Sequence, residues 1–406
     1  MNKTCIFFSI PLFGHVNSSL PLLKRLISEG CTVYYLSDEK FRPMAEYIGA
    51  IFIPYSIDLK IYLTADIADS YLKIYSTKLK IDSIMYEEAL SATNTLSPDF
   101  IIHDSMAGFA KYAAISKKIK AINIITSLAV NPAVFLTTLP VLFPITILML
   151  KHPFQTWKLI AEGRKAKKAY KYKQFQLTDP FVNEEDLNIL LSPYCFQPCS
   201  RFFNKKFIFA RPTINERIVL NDTCQEVDFK NPSVPLIYVS LGTIAENGSI
   251  RSGKLNEILN VLARQKANIL ISLGNLENVE IRDSDNIKAV RFVNQLEVLK
   301  KASLFINHGG LNSIYEAIWF KVPQICIPSQ VEQLTASKIL EKKHCGICIG
   351  KFNATKLEKA ITLLLDKEGK FSKKVELSLD KLSNSIKNSP DIGEILLRIT
   401  DYLEKT

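Results

Sequence analysis

The sequence predicts an α/β protein built from two open parallel sheets, each flanked by helices, facing each other across a ligand cleft. Three observations carry that expectation. Apolar runs of strand length alternate with amphipathic helical stretches through the first third, the alternation lapses near the middle, and it then restarts and continues almost to the end. Strands separated by helices of this length pair in parallel through right-handed crossovers. Such sheets bind ligands beyond the carboxyl ends of their strands. A chain of 406 residues is too long for one ordinary core and fits two of about 200 residues each.

Taken in order, Thr4 to Ile10 reads as the first strand, and Gly14-His15 opens a helix with apolar positions at Leu20, Leu23, Leu26 and Ile27. Gly30 is the stop signal of that helix. Strands follow at Thr32 to Leu36 and Ile51 to Pro54, then, after a long helical region, at Phe100 to His103 and Ala121 to Ile125. Pro153 to Lys173 reads as a basic helix. From Arg211 to Pro235 the chain is polar, proline-containing and poorly periodic, the composition of an interdomain linker. The second alternation comprises strands at Leu236 to Ser240, Ile269 to Leu273, Ile287 to Phe292, Leu304 to Ile306, Gln324 to Ile327 and Gly346 to Ile349. A helix at Gly253 to Lys266 separates the first two, and the last 50 residues read as helical. The expected organisation is therefore a first domain over 1–210, a linker over 211–234, a second domain over 235–385 and a helical segment over 386–406.

Composition narrows the class. With 47% hydrophobic and 22% charged residues, and only 15 Gly and 18 Pro, the chain is globular rather than fibrous or disordered. The net charge of +11 raises nucleic acid as a partner, but the basic residues are scattered and no aromatic-basic signature for stacking bases is present. The densest run, Arg164 to Lys173, is a solvated helix face, with a weak membrane-surface contact as the alternative. Of the eight cysteines at 5, 31, 195, 199, 224, 326, 345 and 348, Cys5, Cys31 and Cys326 fall in strand-like apolar runs. There a reduced cysteine is a small hydrophobe. Cys345 and Cys348 form a C-x-x-C with no second pair at zinc spacing, so a structural role and a reduced, cytoplasmic compartment are expected. The apolar stretch Cys5 to Phe13 lacks a signal-peptide cleavage site. Ala129 to Leu150 is nearly uncharged, but Asn131, Pro132, Pro140 and Pro144 interrupt it. The wall of an apolar pocket or a buried helix pair fits it better than a membrane span.

No P-loop is present, and the first strand is followed by Pro11-Leu12-Phe13-Gly14-His15 rather than G-x-G-x-x-G. What does appear, where a strand hands over to a helix, is Asn307-His308-Gly309-Gly310-Leu311-Asn312-Ser313. Paired glycines let backbone approach a ligand, and a helix starting near Gly310 aims free N–H groups and a positive dipole end at it. His308 and Ser313 add side-chain donors. The reading is a diphosphate cradle that needs no metal; the alternative is a tight strand-helix turn. Ser240-Leu241-Gly242-Thr243, after the first strand of the second domain, is a further candidate for the same cleft. Asp283-Ser284-Asp285 spells D-x-D within a polar, strand-poor stretch and reads as a surface turn.

Three stretches together resemble the nucleotide-sugar-dependent glycosyltransferases of the GT-B fold, in particular glycosyltransferase family 1, which includes macrolide glycosyltransferases and UDP-glycosyltransferases. They are Gly14-His15-Val16-Asn17, Pro98 to Ser105, and the run from Phe292-Val293-Asn294-Gln295 through His308-Gly309-Gly310 to Glu332-Gln333. The resemblance implies two Rossmann-like domains, acceptor binding by the first and donor binding by the second, inversion at the anomeric carbon, and no cofactor or metal. Residue by residue, it implies that His15 is the catalytic base and Asp104 the carboxylate that orients it. Phe292 would stack on the nucleotide base and Gln295 would contact the nucleotide, with Val293 beside them. His308, Gly310, Asn312 and Ser313 would hold the diphosphate, Glu316 the ribose, and Glu332 and Gln333 the sugar hydroxyls. Asn294 and Ser18 stand where relatives often carry Pro, and Glu332 stands where Asp is common.

The expected activity is transfer of a hexose, UDP-linked, to a hydroxyl of a small hydrophobic acceptor such as a polyketide, macrolide or other secondary metabolite, with no nucleic-acid partner. Two alternatives accompany it. One is the same chemistry on a glycolipid precursor at a membrane surface. The other is a non-catalytic GT-B auxiliary protein that activates a partner transferase, against which His15 and Asp104 both stand.

Overall fold

A computed structural model of the chain describes residues 2–405 apart from 63–70, 132, 135–152, 154–156, 158–160, 162–181, 217, 219–226, 242–247 and 275–283. The chain divides into two compact units, Met1–Ile218 with Ser389–Thr406, and Val219–Asn388. Arg211–Ile218 thus belongs with the first unit, where the Arg211 N–H donates to Pro390 O at 2.9 Å. The apolar stretch 129–150 and the basic run 164–173 lie largely or wholly outside the described residues.

Unit 1 runs β1 (Thr4–Phe8), α1 (Phe13–Ser28), β2 (Thr32–Ser37), α2 (Arg42–Tyr47), β3 (Ile51–Pro54), α3 (Tyr71–Leu96), β4 (Phe100–Asp104), α4 (Gly108–Lys117), β5 (Lys120–Ile125), β6 (Leu187–Leu190) and β7 (Phe207–Phe209). All seven strands pair in parallel in the order β3-β2-β1-β4-β5-β6-β7. The order reverses between β1 and β4, so the loops after these two strands open where such sheets bind ligands. Gly30, at φ 91°, ends α1 in a conformation that favours glycine. Alternation along the strands divides the core. Phe7, Tyr35, Phe100, Ile102, Ile122 and Ile124 pack on the α1 side, while Ile6, Phe8, Leu36 and Ile101 pack on the other, with side chains of α3 and α4.

Unit 2 runs β8 (Leu236–Ser240), α5 (Gly248–Leu262), β9 (Asn268–Ser272), β10 (Ile287–Val290), α6 (Gln295–Leu299), β11 (Leu304–Asn307), α7 (Leu311–Trp319), β12 (Gln324–Cys326), α8 (Val331–Lys342), β13 (Gly346–Cys348), α9 (Ala354–Leu365) and α10 (Lys370–Lys387). Its sheet is also parallel, ordered β10-β9-β8-β11-β12-β13 with the reversal between β8 and β11. The last helix, α11 (Ile392–Glu404), returns to unit 1. Asp391 and Glu394 start it with a reciprocal capping box. Its Ile395, Leu396 and Ile399 join the α1-side core. Lys120 of β5 donates to the carbonyls of Tyr402, Leu403 and Lys405 at its end.

The differences from the sequence expectations are local. Leu187–Leu190 and Phe207–Phe209 are strands that the apolar pattern did not single out, and α5 begins at Gly248 rather than Gly253. The strand expected to reach Phe292 stops at Val290, because Asn294 accepts the Glu297 N–H and caps α6. Ser284 sits in an exposed bend with Asp285, which is paired to Lys230 at 2.7 Å; Asp283 lies outside the described residues. Cys345 is buried, Cys348 is half-buried, and neither forms a disulfide. Among the described residues, no helix is long and apolar enough to cross a membrane.

Candidate active site

In unit 1 the carboxyl edge of the sheet brings together three residues from three elements. His15 lies in the first turn of α1, after the β1 loop, and Asp104 ends β4. Thr126 follows the last residue of β5. Parity explains the meeting: Asp104 continues the Phe100-Ile102 face and Thr126 the Ile122-Ile124 face, both toward α1. His15 Nδ1 lies 2.7 Å from Asp104 Oδ2 and 2.8 Å from Thr126 Oγ1. The other carboxylate oxygen accepts the Met106 N–H at 2.8 Å, which leaves the carboxylate little freedom to rotate. The Asp104 side chain is 1% exposed and that of His15 is 15% exposed.

A carboxylate beside Nδ1 places the imidazole proton on that nitrogen. The N–H then points to Asp104, and Nε2 carries the lone pair. The assembly is a base held by a third group. Thr126 escaped the sequence reading, since a threonine after a strand carries no signal of its own; only the register of β5 against β4 places it beside the imidazole.

In unit 2 the corresponding switch point lies at the ends of β8 and β11, where Ser240 and Asn307 are register partners. The turn after β11 is set by a buried amide. Asn307 Oδ1 accepts the Gly309 N–H at 2.7 Å, and Asn307 Nδ2 donates to Gln324 Oε1 at 3.0 Å. Gly309 has φ 81°, and a Cβ there would collide with Ser337 Oγ and lie 2.9 Å from the Gln333 carbonyl, so α8 packs against bare backbone. Gly310 is the N-cap of α7 and makes no side-chain cap bond. A Cβ on it would run into the His308 ring. The two glycines therefore make room for α8 on one side and for an imidazole on the other, with the start of α7 between them. Asn312 and Ser313 lie in its first turn.

Around this turn, Gln295 Nε2 donates to Glu316 Oε2 at 2.5 Å and to Ser313 Oγ at 3.4 Å, while Tyr238 donates to Gln295 Oε1 at 3.1 Å. Gln295, Ser313 and Glu316 are thus brought together, and Tyr238 joins them. Phe292 is 43% exposed in the loop before α6, and Val293 packs with the unit's core. Gln333 is buried, and its Oε1 accepts from the Ser329 N–H and hydroxyl at 3.0 and 3.2 Å, so it shapes the loop before α8. Glu332 is exposed in the first turn of that helix. Gly242 and Thr243 lie outside the described residues. Among the described residues, no group of three or more His, Cys, Asp or Glu stands together as a metal ligand set.

Residues 248–388 match the glycosyltransferase family 28 C-terminal domain. The chain is 27% identical over 360 residues to the uncharacterized UDP-glucosyltransferase YojK of Bacillus subtilis (strain 168), covering 84% of this chain and 85% of that protein. Two solved structures share the fold across both units. The calicheamicin glycosyltransferase CalG4 superposes with a TM-score of 0.79 at 17% identity, covering 100% of this chain and 99% of the other. The spinosyn rhamnosyltransferase SpnG complexed with thymidine diphosphate superposes with a TM-score of 0.73 at 13% identity, covering 98% and 100%. The chain is a GT-B glycosyltransferase. As a GT-B enzyme it carries the His15–Asp104 pair in its first unit. The glycine turn and the Gln295–Glu316 pair lie in its second.

Proposed function

We propose that this enzyme transfers a hexose from a UDP-linked sugar to a hydroxyl of a small hydrophobic acceptor, with inversion and without a metal, in the manner of family 1 glycosyltransferases. The observation that carries the reading is the 2.7 Å contact between His15 Nδ1 and a buried Asp104. His15 Nε2 takes the acceptor hydroxyl proton as that oxygen bonds to the anomeric carbon, and the bond from that carbon to the diphosphate oxygen breaks. Asp104 stabilises the imidazolium that forms, and Thr126 steadies the ring. The departing diphosphate is stabilised by His308, Ser313 and the N–H groups at the start of α7, donors in place before charge develops. Phe292 offers an exposed ring for the base, Gln295 and Glu316 would recognise the nucleoside, and Glu332 and Gln333 would hold the sugar hydroxyls.

A uridine donor is supported by the likeness to YojK, an uncharacterized UDP-glucosyltransferase, and thymidine diphosphate on SpnG makes TDP-sugars the comparison to run. A thermal-shift panel of UDP, TDP, GDP and their sugars, with EDTA and with added magnesium, tests the reading. A ligand at a hundred times its dissociation constant adds about 2.7 kcal/mol to the folded state. A shift with UDP or UDP-sugar that EDTA leaves unchanged supports the proposal. A shift that EDTA abolishes removes metal independence, and no shift with any nucleotide removes the donor site.

A further inference from the structure

Behind Asp104, on the face of the sheet opposite α1, lies a buried polar cluster that the transfer chemistry does not use. It surrounds the turn Ser105–Ala107, the piece of backbone between Asp104 and α4. Two side chains from distant segments grip this turn, and a third caps the helix that follows it. Lys78 Nζ on α3 donates to Ser105 O at 3.2 Å, and Asn183 Nδ2 donates to the same carbonyl at 2.8 Å. Asp82, one helical turn after Lys78, accepts the Phe109 N–H at 2.9 Å and the Gly108 N–H. The N-cap residue of α4 is Ala107, which has no side chain to cap with, so Asp82 caps this helix from its neighbour. The fit is close: a Cβ on Gly108 would lie 2.5 Å from Asp82 Oδ2.

Lys78, Asp82 and Asn183 are 2%, 1% and 0% exposed. Lysine and aspartate are almost never buried this deeply unless something holds them. The surrounding positions Leu79, Ile81, Met85 and Ala89 are buried and apolar. Asn183 also adopts φ 47°, a conformation that asparagine tolerates better than most residues. Burial pushes the Asp82 carboxyl up to about 7, while the Lys78 charge, the Phe109 and Gly108 N–H bonds and the His103 charge pull it back. His103 faces the same side of β4, with Nε2 3.2 Å from Glu185 Oε1.

We propose that Lys78, Asp82 and Asn183 are positioning residues for the transfer reaction: a clamp behind the sheet that fixes the turn from which Asp104 reaches His15. Holding Ser105 O and the first two N–H groups of α4 leaves the intervening residues one path, and Met106 on that path supplies the N–H that orients the Asp104 carboxylate. The clamp rests on the reading of His15 as the base, and the test separates the two.

The test uses the full chain with Asp82→Asn, Lys78→Met, Asn183→Ala and, as reference, His15→Ala. It measures kcat, donor KM, the pH profile of kcat/KM, UDP affinity by calorimetry, and thermal melting. Displacing a catalytic group by about 1 Å costs on the order of 10²-fold. Asp82→Asn and Lys78→Met should lower kcat by about 10- to 100-fold while UDP affinity and donor KM stay at wild-type values. The acid limb of the profile should move to lower pH, because a displaced carboxylate no longer favours the imidazolium. Asn183→Ala removes one of two donors to a single carbonyl, so it should keep the fold and show the same pattern more weakly. If Asp82→Asn and Lys78→Met do not fold, Asn183→Ala decides alone. Folded variants with wild-type kcat and an unmoved acid limb overturn the clamp, whereas an active His15→Ala overturns the base reading itself.

Discussion

Gly309→Ala puts the geometry of the glycine turn to a direct test. At φ 81° an L side chain sits where only glycine is comfortable, at a cost of roughly 1–2 kcal/mol. The added methyl would also meet Ser337 Oγ and the Gln333 carbonyl. Ser337 is buried and donates to that same carbonyl at 2.7 Å, so neither atom can swing aside without moving the first turns of α8. Overpacking of this kind costs about 1–3 kcal/mol, which brings the expected loss to roughly 2–5 kcal/mol. For a domain the size of unit 2, each kcal/mol lowers the melting temperature by roughly 2–4 °C. Differential scanning calorimetry should therefore show a fall of at least about 4 °C. UDP affinity should fall too, since the turn that moves is the one proposed to hold the diphosphate. A variant melting within about 2 °C of wild type would show that the turn tolerates a side chain, and the close approach of α8 would lose its meaning.

Three further outcomes follow from the site. Asp104→Asn keeps an acceptor for the Met106 N–H but removes the carboxylate that stabilises the imidazolium, so kcat should fall by roughly 10²–10⁴-fold with UDP affinity unchanged, and a smaller loss in steady-state assays would remove Asp104 from the base. Thr126→Val deletes one hydroxyl at 2.8 Å, so a loss of about 2- to 10-fold in kcat is expected, and no change would leave Thr126 a packing residue. Asp82 holds its proton in the folded chain after the unfolded chain has released it, so it makes stability fall as pH rises from about 4 to about 7; urea titrations across that window should show a shallower fall for Asp82→Asn, and an unchanged slope would place the carboxyl at an ordinary value.

Much of this architecture was legible in the sequence because it is written in local signals. The strand-helix beat, the glycine that stops α1 and the Asn307 to Ser313 run each declare themselves within a few residues. Asp104 and His15 were legible as a pair only through resemblance, since 89 positions separate them and nothing local links them. Thr126 was not legible, because its role depends on which face of β5 it continues. Nor were Lys78, Asp82 and Asn183: a lysine and an aspartate four apart in a helix read as a solvated ion pair, and only the packing of α3 over the β4–α4 turn buries them. The short strands β6 and β7 were missed for a related reason, as neither is long enough to show a period. Asn294 ends the expected β10 early by capping α6, a choice between strand and helix that apolar runs alone do not encode.

The central claim is that His15 removes the acceptor proton, and turnover of His15→Ala tests it most directly. With UDP-glucose and a phenolic or macrolide acceptor, product formation is followed by chromatography while UDP binding is measured on the same preparation. The account predicts a loss of about 10²–10⁴-fold or more in kcat with UDP affinity unaltered. Near-normal turnover in a protein that still binds UDP would contradict it.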